Sequence, residues 1–462
     1  MADITVENPA TGEVLGAVPD TTPAQVDAAV QQAYDAFAQG VWRSRPASER
    51  EKVLWKIAEW IERDKEDFAL LSTLEAGKPI RDSRSGDVEG AIDAFRFFAG
   101  SCRRLGGQTV PVDGPYVNHT VPEPLGVVAA IVPWNYPLCL AAWKVAPALA
   151  AGCSVILKPS ELTPFGALKL EETIRAAGLP PGVFRVLTGY GATTGDALSR
   201  HERVAKVAFT GSRATARRIL IAAAESNLKP VSLELGGKSA NLVFADANIP
   251  AAVRGALWGA FLNQGQVCTA GSRLLVEEPI YEEFLALLVD RAHRLRLGDP
   301  RDPNVDLGPL VSAKQKEKVL GFVQEAKAAG YACPLPGDAA LPELGHFVAP
   351  VIFSHVPAEA RLAQEEIFGP VLSVLPFRTE EEAIRLANAT RYGLAAGLWT
   401  ENLRRAQRVS SALAAGVVWT NCYNHFDVAS PFGGLKESGH GRDLGEDALR
   451  EYTAVRSLWS AR

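Results

Sequence analysis

The sequence lacks most of the features that mark membrane, metal-binding and nucleic-acid-binding proteins. Its 462 residues have a net charge of −5 without a long run of like charge, which argues against a nucleic-acid partner. The most apolar stretch, residues 126–133, is much shorter than the roughly 20 residues that span a bilayer. The first residues lack the basic start and apolar core of a signal peptide, so we expect a cytoplasmic protein.

Two common site motifs are missing as well. The six cysteines form no CxxC pair and no cluster with histidine, which predicts reduced thiols and no bound metal. GxGxxG is also absent, so the generic dinucleotide-binding fingerprint does not match. Any cofactor or catalytic site must therefore be sought in other patterns.

The main pattern present is an alternation of apolar runs with helical stretches. The runs "GVVAAIV", "SVIL", "VAKVAF" and "PVSL" are separated by helical patterns, which predicts a parallel sheet with crossover helices. A similar alternation restarts near residue 240 and predicts a second α/β domain. We place the boundary near Gly236, because paired glycines are a natural hinge.

Three further elements follow from local patterns. Residues 51–71 and 86–103 have apolar residues at helical spacing and predict two amphipathic helices. Residues 106–126 alternate polar and apolar side chains around turn residues, which predicts a projecting hairpin.

Polar residues follow each predicted strand, where ligands bind in parallel sheets. Asn135 follows the first run and could cap a helix or donate to an oxyanion. Glu234 follows the last run and could be a solvated carboxylate or a general base. Cys268, in "NQGQVCTAGSR", could be a packing residue or a nucleophile.

Two other strand ends suggest a nucleotide. Lys158 and Glu161 could be a solvated pair or could hold a ribose, and a carboxylate there disfavours a 2′-phosphate. Gly211 and Ser212 lie at a strand-to-helix junction, which is either a plain turn or a phosphate site at a helix start.

Together these stretches resemble the aldehyde dehydrogenase superfamily over nearly the whole chain. The resemblance rests on "PWNYP", "KPSE", "FTGS", "LELGGKSANLV", "NQGQVCTAGSR", "QEEIFGPV" and "PFGGLKESGHGRDLGE", which occur in the family's order. It implies an α/β fold with a Rossmann-like parallel-sheet cofactor domain, a second α/β catalytic domain and a small β oligomerisation hairpin. The implied ranges are 1–105 and 125–235 for the cofactor domain, 236–436 for the catalytic domain, and 106–124 with 437–462 for oligomerisation.

The resemblance also implies the chemistry. Cys268 matches the thiol that attacks the aldehyde and forms first a thiohemiacetal and then a thioester, and Asn135 matches the amide that holds the oxyanion. Glu234 matches the base that activates water, and relatives also assign to it the deprotonation of the thiol; the sequence does not apportion the two roles. Lys144 and Asp443 match a proton-relay pair in which relatives usually carry glutamate at the second position.

The implied cofactor is NAD, with some use of NADP. The matching contact residues are Trp134, Lys158, Glu161, Gly191, Thr210, Gly211, Ser212, Glu366 and Phe368. Two residues depart from the family's Gly-Ser-Thr-x-x-Gly turn. Arg213 could reach a 2′-phosphate, and Ala216 should narrow the close approach that a glycine allows.

The implied substrate is a small aldehyde, and the implied assembly is a homodimer or homotetramer. The matching pocket residues are mostly apolar and favour an aliphatic or aromatic aldehyde: Tyr136, Leu140, Trp143, Leu262, Val267, Thr269 and Phe426. An aminoaldehyde or betaine aldehyde is the alternative, since Asp87, Glu89 and Asp427 are either surface charges or partners for an ammonium group.

Three other functions remain open. Acyl transfer to CoA is disfavoured by Glu234, which such relatives generally lack. A catalytically silent binding or structural protein is disfavoured because Cys268, Asn135 and Glu234 are all present. A plain thiol hydrolase would need a histidine base, and none lies in these motifs.

Overall fold

The computed structural model describes residues 3–462, which fold around two large sheets and a smaller third one. The strands are β1 Ile4–Glu7, β2 Val14–Val18, β3 Thr109–Val110, β4 Tyr116–Pro124, β5 Val127–Ile131, β6 Ser154–Lys158, β7 Phe184–Val186, β8 Val204–Gly211, β9 Val231–Leu235, β10 Ala240–Val243, β11 Arg273–Glu277, β12 Ala332–Leu335, β13 Val351–Ser354, β14 Val371–Phe377, β15 Tyr392–Gly393, β16 Ala395–Trp399, β17 Val417–Thr420, β18 Leu435–Lys436, β19 Gly439–His440 and β20 Thr453–Ala461. The helices are α1 Pro23–Ala38, α2 Ala47–Arg63, α3 Lys65–Ala76, α4 Ile80–Asp82, α5 Glu89–Ser101, α6 Pro137–Ala151, α7 Phe165–Ala176, α8 Asp196–Arg200, α9 Arg213–Ala224, α10 Ile249–Phe261, α11 Tyr281–Ala292, α12 Ala313–Ala328, α13 Arg361–Gln364, α14 Glu380–Asn388, α15 Leu403–Ala412 and α16 Gly445–Arg450. Among these described helices, none is long and apolar enough to cross a membrane.

The first large sheet has six strands in the order β19-β9-β8-β5-β6-β7. All its neighbouring pairs are parallel except β19 with β9. Strands β5 and β6 are buried along their whole length, because helices cover both faces of a parallel sheet. Helices α2, α5 and α6 contribute to the core on one face, and α1 and α9 to the core on the other.

The second large sheet has seven strands in the order β12-β13-β14-β11-β10-β16-β17. Only the edge pair β12–β13 is antiparallel among these neighbours. Its two faces carry separate apolar cores. Both parallel sheets and the α/β class predicted from the sequence are therefore confirmed.

The third sheet contains the predicted hairpin. Strands β3 and β4 form it, and β20 pairs with β4 over its full nine residues. The segment 437–462 divides between two sheets, because Gly439–His440 pairs with β9 in the first large sheet. Only residues 453–461 join the hairpin, and the assignment of 106–124 and 437–462 to oligomerisation stays a prediction.

Two predicted helices differ in detail from the structure. The helix expected over 51–71 ends at Arg63 and restarts at Lys65, because Asp64 has a non-helical backbone (φ −98°, ψ 23°). The apolar spacing continues across this break and hides it in the sequence. The helix expected over 86–103 begins with a π-helical turn, Ser83–Val88, before α5.

The chain crosses between the two large sheets at residues 236–239 and returns at residues 435–440. Ser438 ties both crossings: its hydroxyl donates to the Gly236 carbonyl at 2.8 Å and accepts from the Gly393 N–H at 3.0 Å. Its own carbonyl accepts from the Leu235 N–H at 2.9 Å. One fully buried serine therefore connects the end of β9 to the second domain.

We predict that Ser438→Ala lowers the midpoint of thermal unfolding. The variant leaves the Gly236 carbonyl and the Gly393 N–H without this partner in a buried place, which costs about 1–3 kcal/mol. Ser410→Ala is the control, because Ser410 bonds only the nearby Gln407 carbonyl in an exposed position. Equal midpoints for the two variants would contradict the role of Ser438.

Candidate active site

Cys268 lies just after a tightly wound turn between α10 and β11. The turn spans Leu262–Gly265, and Asn263 and Gln264 both have left-handed backbones (φ 49° and 56°). Such strain in residues other than glycine is costly and is concentrated at functional sites. The turn leaves Cys268 half-buried, facing two cavities that are described below.

Asn135 is held against the same turn. Its side-chain Nδ2 donates to the Gln266 carbonyl at 3.0 Å, and the Asn263 Nδ2 donates to the Asn135 carbonyl at 3.3 Å. An amide nitrogen carries two N–H groups, so one remains for another acceptor. Asn135 and Cys268 line both cavities.

Glu234 lies at the end of β9, in the cavity that also contains Cys268. It is buried, and neither carboxylate oxygen has a hydrogen-bond partner among residues 3–462. Burial raises its pKa well above the usual range, and Asp443 raises it further. A buried carboxylate without partners is poised to take up a proton.

The predicted relay pair is present. The Lys144 Nζ donates to the Asp443 Oδ2 at 2.8 Å, and both side chains are buried. Asp443 lines the cavity that contains Glu234. The aspartate is thus long enough to pair with Lys144, although the family usually carries glutamate there.

The first cavity, of about 220 Å³, lies between the two large sheets. Besides Asn135 and Cys268, seven predicted cofactor or catalytic residues line it, and they come from strand ends and loops: Trp134, Thr210, Gly211, Ser212, Glu234, Glu366 and Phe368. Ser212 caps α9 by accepting from the Thr215 N–H, and the start of a helix is a natural phosphate site. Trp134 packs edge-to-face on Phe368 with ring centroids 5.3 Å apart.

The paired glycines Gly236 and Gly237 lie directly against the Glu366 carboxylate. The Glu366 Oε1 accepts from the Gly237 N–H at 3.2 Å. A Cβ on Gly236 would lie 2.1 Å from the Glu366 carboxylate oxygens. Glycine is therefore required here because the carboxylate lies directly against the backbone.

The predicted adenosine contacts lie farther out. The Lys158 Nζ donates to the Pro159 carbonyl and is 3.5 Å from the Glu161 carboxylate, so the pair forms at the end of β6. Burial lowers the pKa of Lys158, and Glu161 opposes that shift. Gly191 is exposed and begins a π-helical turn, Gly191–Gly195, whose last two residues are buried. None of these three residues lines the first cavity.

The two departures in the phosphate turn have partners within the protein. Arg213 pairs with Glu437 and lies over the Tyr392 ring at 5.0 Å, so its charge is directed to the second domain. Ala216 is buried in the core of the first sheet. Neither observation supports the expectation that Arg213 is free to reach a 2′-phosphate.

The second cavity, of about 400 Å³, contains the whole predicted substrate set. Its walls include Tyr136, Leu140, Trp143, Leu262, Val267, Thr269 and Phe426. Trp143 packs on Phe432 with ring centroids 5.4 Å apart, and Phe426 lies 5.7 Å from Phe432. Trp143, Phe426 and Phe432 therefore form an aromatic wall of this cavity.

The three acidic residues considered for an ammonium partner have different surroundings. Glu89 and Asp427 line the cavity, together with Asp93, while Glu89 also pairs with Lys65. Asp87 is fully buried and accepts from the Cys139 N–H, so it is neither a surface charge nor part of the wall.

Several lining residues were not predicted. In the first cavity these include Gln315 and Lys318, in the second they include Asp82, Asp93, Cys139, Trp258 and Asn424, and Phe432 lines both. Phe432 stands in the quoted "PFGG" motif and could have been found there. Asp93 and Trp258 lie on helices whose spacing indicates only amphipathicity.

Both cavities end at the same place. Asn135, Leu140, Cys268 and Phe432 line each of them. A thiol and an amide donor thus lie on the walls that the two cavities share, and the unpartnered Glu234 carboxylate lies in the first of them.

Comparisons with known proteins agree with this arrangement. The sequence profile of the aldehyde dehydrogenase family matches residues 2–458. A putative aldehyde dehydrogenase, DhaS, of Bacillus subtilis (strain 168) is 48% identical over 98% of this chain and 91% of its own length. Retinal dehydrogenase 2 of Homo sapiens is 47% identical over 98% of this chain and 88% of its own. The structure of P. syringae AldA indole-3-acetaldehyde dehydrogenase in complex with NAD+ and IAA has a TM-score of 0.98 at 42% identity, covering 100% of this chain and 93% of that one.

The chain belongs to the aldehyde dehydrogenase family. The resemblance, the fold class and the enzyme class predicted from the sequence are thereby confirmed. The roles of individual site residues stay predictions.

We predict that alkylation of Cys268 in the free protein accelerates with pH through the whole neutral and mildly alkaline range. Burial raises the pKa of its thiol to about 12, and Glu366 and Glu234 add to this rise, so only a small fraction is thiolate near pH 7. Iodoacetamide labelling followed by peptide mass spectrometry measures the rate at this cysteine. A rate that stops rising below about pH 8 would indicate a low thiol pKa and contradict the prediction.

Proposed function

We propose that this protein oxidises an aldehyde to the carboxylic acid, with Cys268 as nucleophile and NAD as cofactor. The observation that carries the proposal is the position of Cys268 at the junction of two cavities. Glu234 is on the wall of one cavity, and Asn135 is on the walls of both. The identified relatives include dehydrogenases of retinal and of indole-3-acetaldehyde, which supports an aldehyde substrate.

In the first half of the reaction the Cys268 sulfur attacks the carbonyl carbon. The thiol proton passes to the Glu234 carboxylate, a C–S bond forms, and the electron pair of the carbonyl π bond moves to its oxygen, which gains negative charge as the thiohemiacetal is made. The free N–H of the Asn135 amide and the backbone N–H of Cys268 stabilise that oxygen. Loss of a hydride from the adduct restores the C=O bond and leaves a thioester on Cys268.

In the second half Glu234 takes a proton from water, and the resulting hydroxide cleaves the thioester. The high pKa of Glu234 makes its ionised form a strong base. The Lys144–Asp443 pair lies next to the cavity and carries protons away from Glu234. The thiol and the acid are the products.

The first cavity fits a dinucleotide. The Thr210 hydroxyl is buried without a hydrogen-bond partner in the described chain, and the start of α9 offers N–H groups to a pyrophosphate. Glu366 and Phe368 would hold the nicotinamide ribose and ring, Trp134 lines the cleft, and Lys158, Glu161 and Gly191 would hold the adenosine end. When bound, NAD+ supplies the hydride acceptor. The Glu161 carboxylate and the engaged Arg213 favour NAD over NADP, although NADP can be used.

The second cavity favours an apolar or aromatic aldehyde. The rings of Trp143, Phe426 and Phe432 pack together and form an aromatic wall of the cavity. Removing apolar substrate surface from water gains about 25 cal/mol per Å².

An aminoaldehyde or betaine aldehyde is the second candidate, because acidic residues line the same cavity. Asp93 lies near Glu89 and Asp427, and burial with these two neighbours raises its pKa. Three carboxyl groups beside aromatic rings could hold an ammonium group. Lys65 neutralises Glu89, however, which weakens this attraction.

We also propose that the protein is a cytoplasmic homodimer or homotetramer that pairs through the third sheet. Strand β20 is exposed along nearly its whole length and presents Val455, Leu458 and Trp459. Tyr116 packs edge-to-face on Trp459 at 6.3 Å. Exposed apolar strands of this kind favour pairing with another chain.

We predict that the protein forms NADH with an aldehyde and that Cys268→Ala lowers kcat by about 10⁴-fold or more, because the nucleophile is gone. Absorbance at 340 nm measures the rate with NAD and with NADP. Cys333→Ala, which removes a thiol in β12, is the control and should keep the wild-type rate. Turnover in Cys268→Ala would overturn the mechanism, and equal kcat/KM for the two cofactors would overturn the preference for NAD. Binding of NAD without turnover of any aldehyde would favour a catalytically silent protein.

We predict that kcat/KM is higher for hexanal or benzaldehyde than for 3-aminopropanal or betaine aldehyde, because aromatic rings form a wall of the second cavity. Asp427→Asn should leave this order unchanged, as should the exposed control Asp338→Asn. The opposite order, together with a selective loss of 3-aminopropanal oxidation in Asp427→Asn, would favour the second candidate.

A further inference from the structure

The start of α6 has no cap of its own. The helix begins at Pro137 after Tyr136, and no side chain at that Ncap position bonds the first turn in the described chain. The first N–H groups of a helix need partners, most often a side-chain oxygen that reaches the third helical residue. Here the third helical residue is Cys139.

Asp87 supplies the missing cap from a distant part of the chain. Its Oδ1 accepts from the Cys139 N–H at 2.9 Å, across 52 positions of sequence. Its Oδ2 accepts from the Ser72 hydroxyl at 2.7 Å. A carboxylate at a helix N-terminus is also favoured by the helix dipole.

Asp87 reaches this place because it lies on the π-helical turn Ser83–Val88. A π-helical turn is a rare local widening of a helix and is often found at functional sites. Ser83 in the same turn shares a hydrogen bond with Thr73 on α3, at 2.9 Å. The turn is thus fixed to α3 while it caps α6.

Lys78 completes the unit. Its Nζ lies 4.0 Å from the Asp87 Oδ2 and 3.5 Å from the centre of the Tyr136 ring. The side chain is fully buried, and Nζ makes no hydrogen bond to any residue in 3–462. Asp87 and the Tyr136 ring are the nearest groups that compensate its charge, and Asp82 adds a weaker attraction.

We propose that Asp87 and Lys78 are positioning residues for the proposed oxyanion donor, Asn135. Asp87 caps α6 from outside, and Lys78 holds the ring of Tyr136, the residue that joins Asn135 to the helix. Both act through the turn and neither lines a cavity. The inference rests on the proposed function, because it assumes that the Asn135 amide serves the reaction.

The chain offers a matched control on α3, the helix to which the π-helical turn is fixed. Glu75, on α3, accepts from the Phe165 and Gly166 N–H groups at 2.6 and 3.2 Å, which caps the start of α7. It is also a buried carboxylate that caps a distant helix, yet α7 carries none of the proposed site residues. Removing either cap should lower the stability of the protein, whereas only the removal of Asp87 should lower kcat.

The test compares Asp87→Ala with Glu75→Ala. We expect kcat to fall by about tenfold or more in Asp87→Ala, since small displacements of a catalytic group are costly, while both KM values change little. Glu75→Ala should keep the wild-type kcat even where its thermal midpoint falls. Equal effects of the two variants on kcat would mean that Asp87 has only a structural role and would overturn the proposal.

Two conservative variants keep the test decisive if Asp87→Ala fails to fold. Asp87→Asn retains an oxygen for the Cys139 N–H but leaves Lys78 uncompensated, whereas the double variant Lys78→Met/Asp87→Asn removes both charges and keeps the cap. We expect the double variant to recover kcat relative to Asp87→Asn. A double variant that is no faster would exclude the compensation assigned to Lys78.

Hydrogen exchange separates this inference from the proposed function. Exchange of the amides at residues 138–140 should accelerate in Asp87→Ala, or in Asp87→Asn to a smaller extent, and not in Glu75→Ala. Wild-type protein without aldehyde oxidation would refute the proposed function, and the exchange data would still test the cap. Unchanged exchange at these amides would refute the cap itself.

Discussion

The candidate active site depends on the point where the two crossings between the large sheets are joined to each other. Ser438 bonds the crossing on both sides, and the Glu366 carboxylate lies so close to Gly236 that no side chain fits there. The same contacts fix the end of β9, which carries Glu234, and a Cβ on Gly237 would lie 2.8 Å from the Cys268 carbonyl. These contacts hold Glu234, Glu366 and Cys268 close to the crossing.

The site keeps polar groups in conditions that a stable core would avoid. Glu234 has no hydrogen-bond partner for either oxygen in the described chain, and Thr210 and Lys78 are buried in the same state. Each such group costs free energy, so the surrounding structure must supply it. The two long-range caps, Glu75 and Asp87, show one source: they satisfy helix ends that the local sequence leaves bare.

The sequence predicts the sheets well because strand and helix patterns are local. Asn135 and Glu234 could be assigned to a site because each follows an apolar strand, and the resemblance added Cys268 and the cavity residues. Asp87 could not be assigned, since its partner Cys139 is distant in sequence and its π-helical turn leaves no pattern. The sequence predicts a hinge at Gly236, but it does not reveal the close approach of Glu366, because both features call for glycine.

The two cavities share only a narrow zone around Cys268, with Asn135, Leu140 and Phe432 as the other common walls. Their remaining linings are different, so under the proposed function the aldehyde and the dinucleotide would contact different residues. In such a catalytic cycle the carboxylic acid would leave past the aromatic residues of one cavity without displacing the dinucleotide from the other.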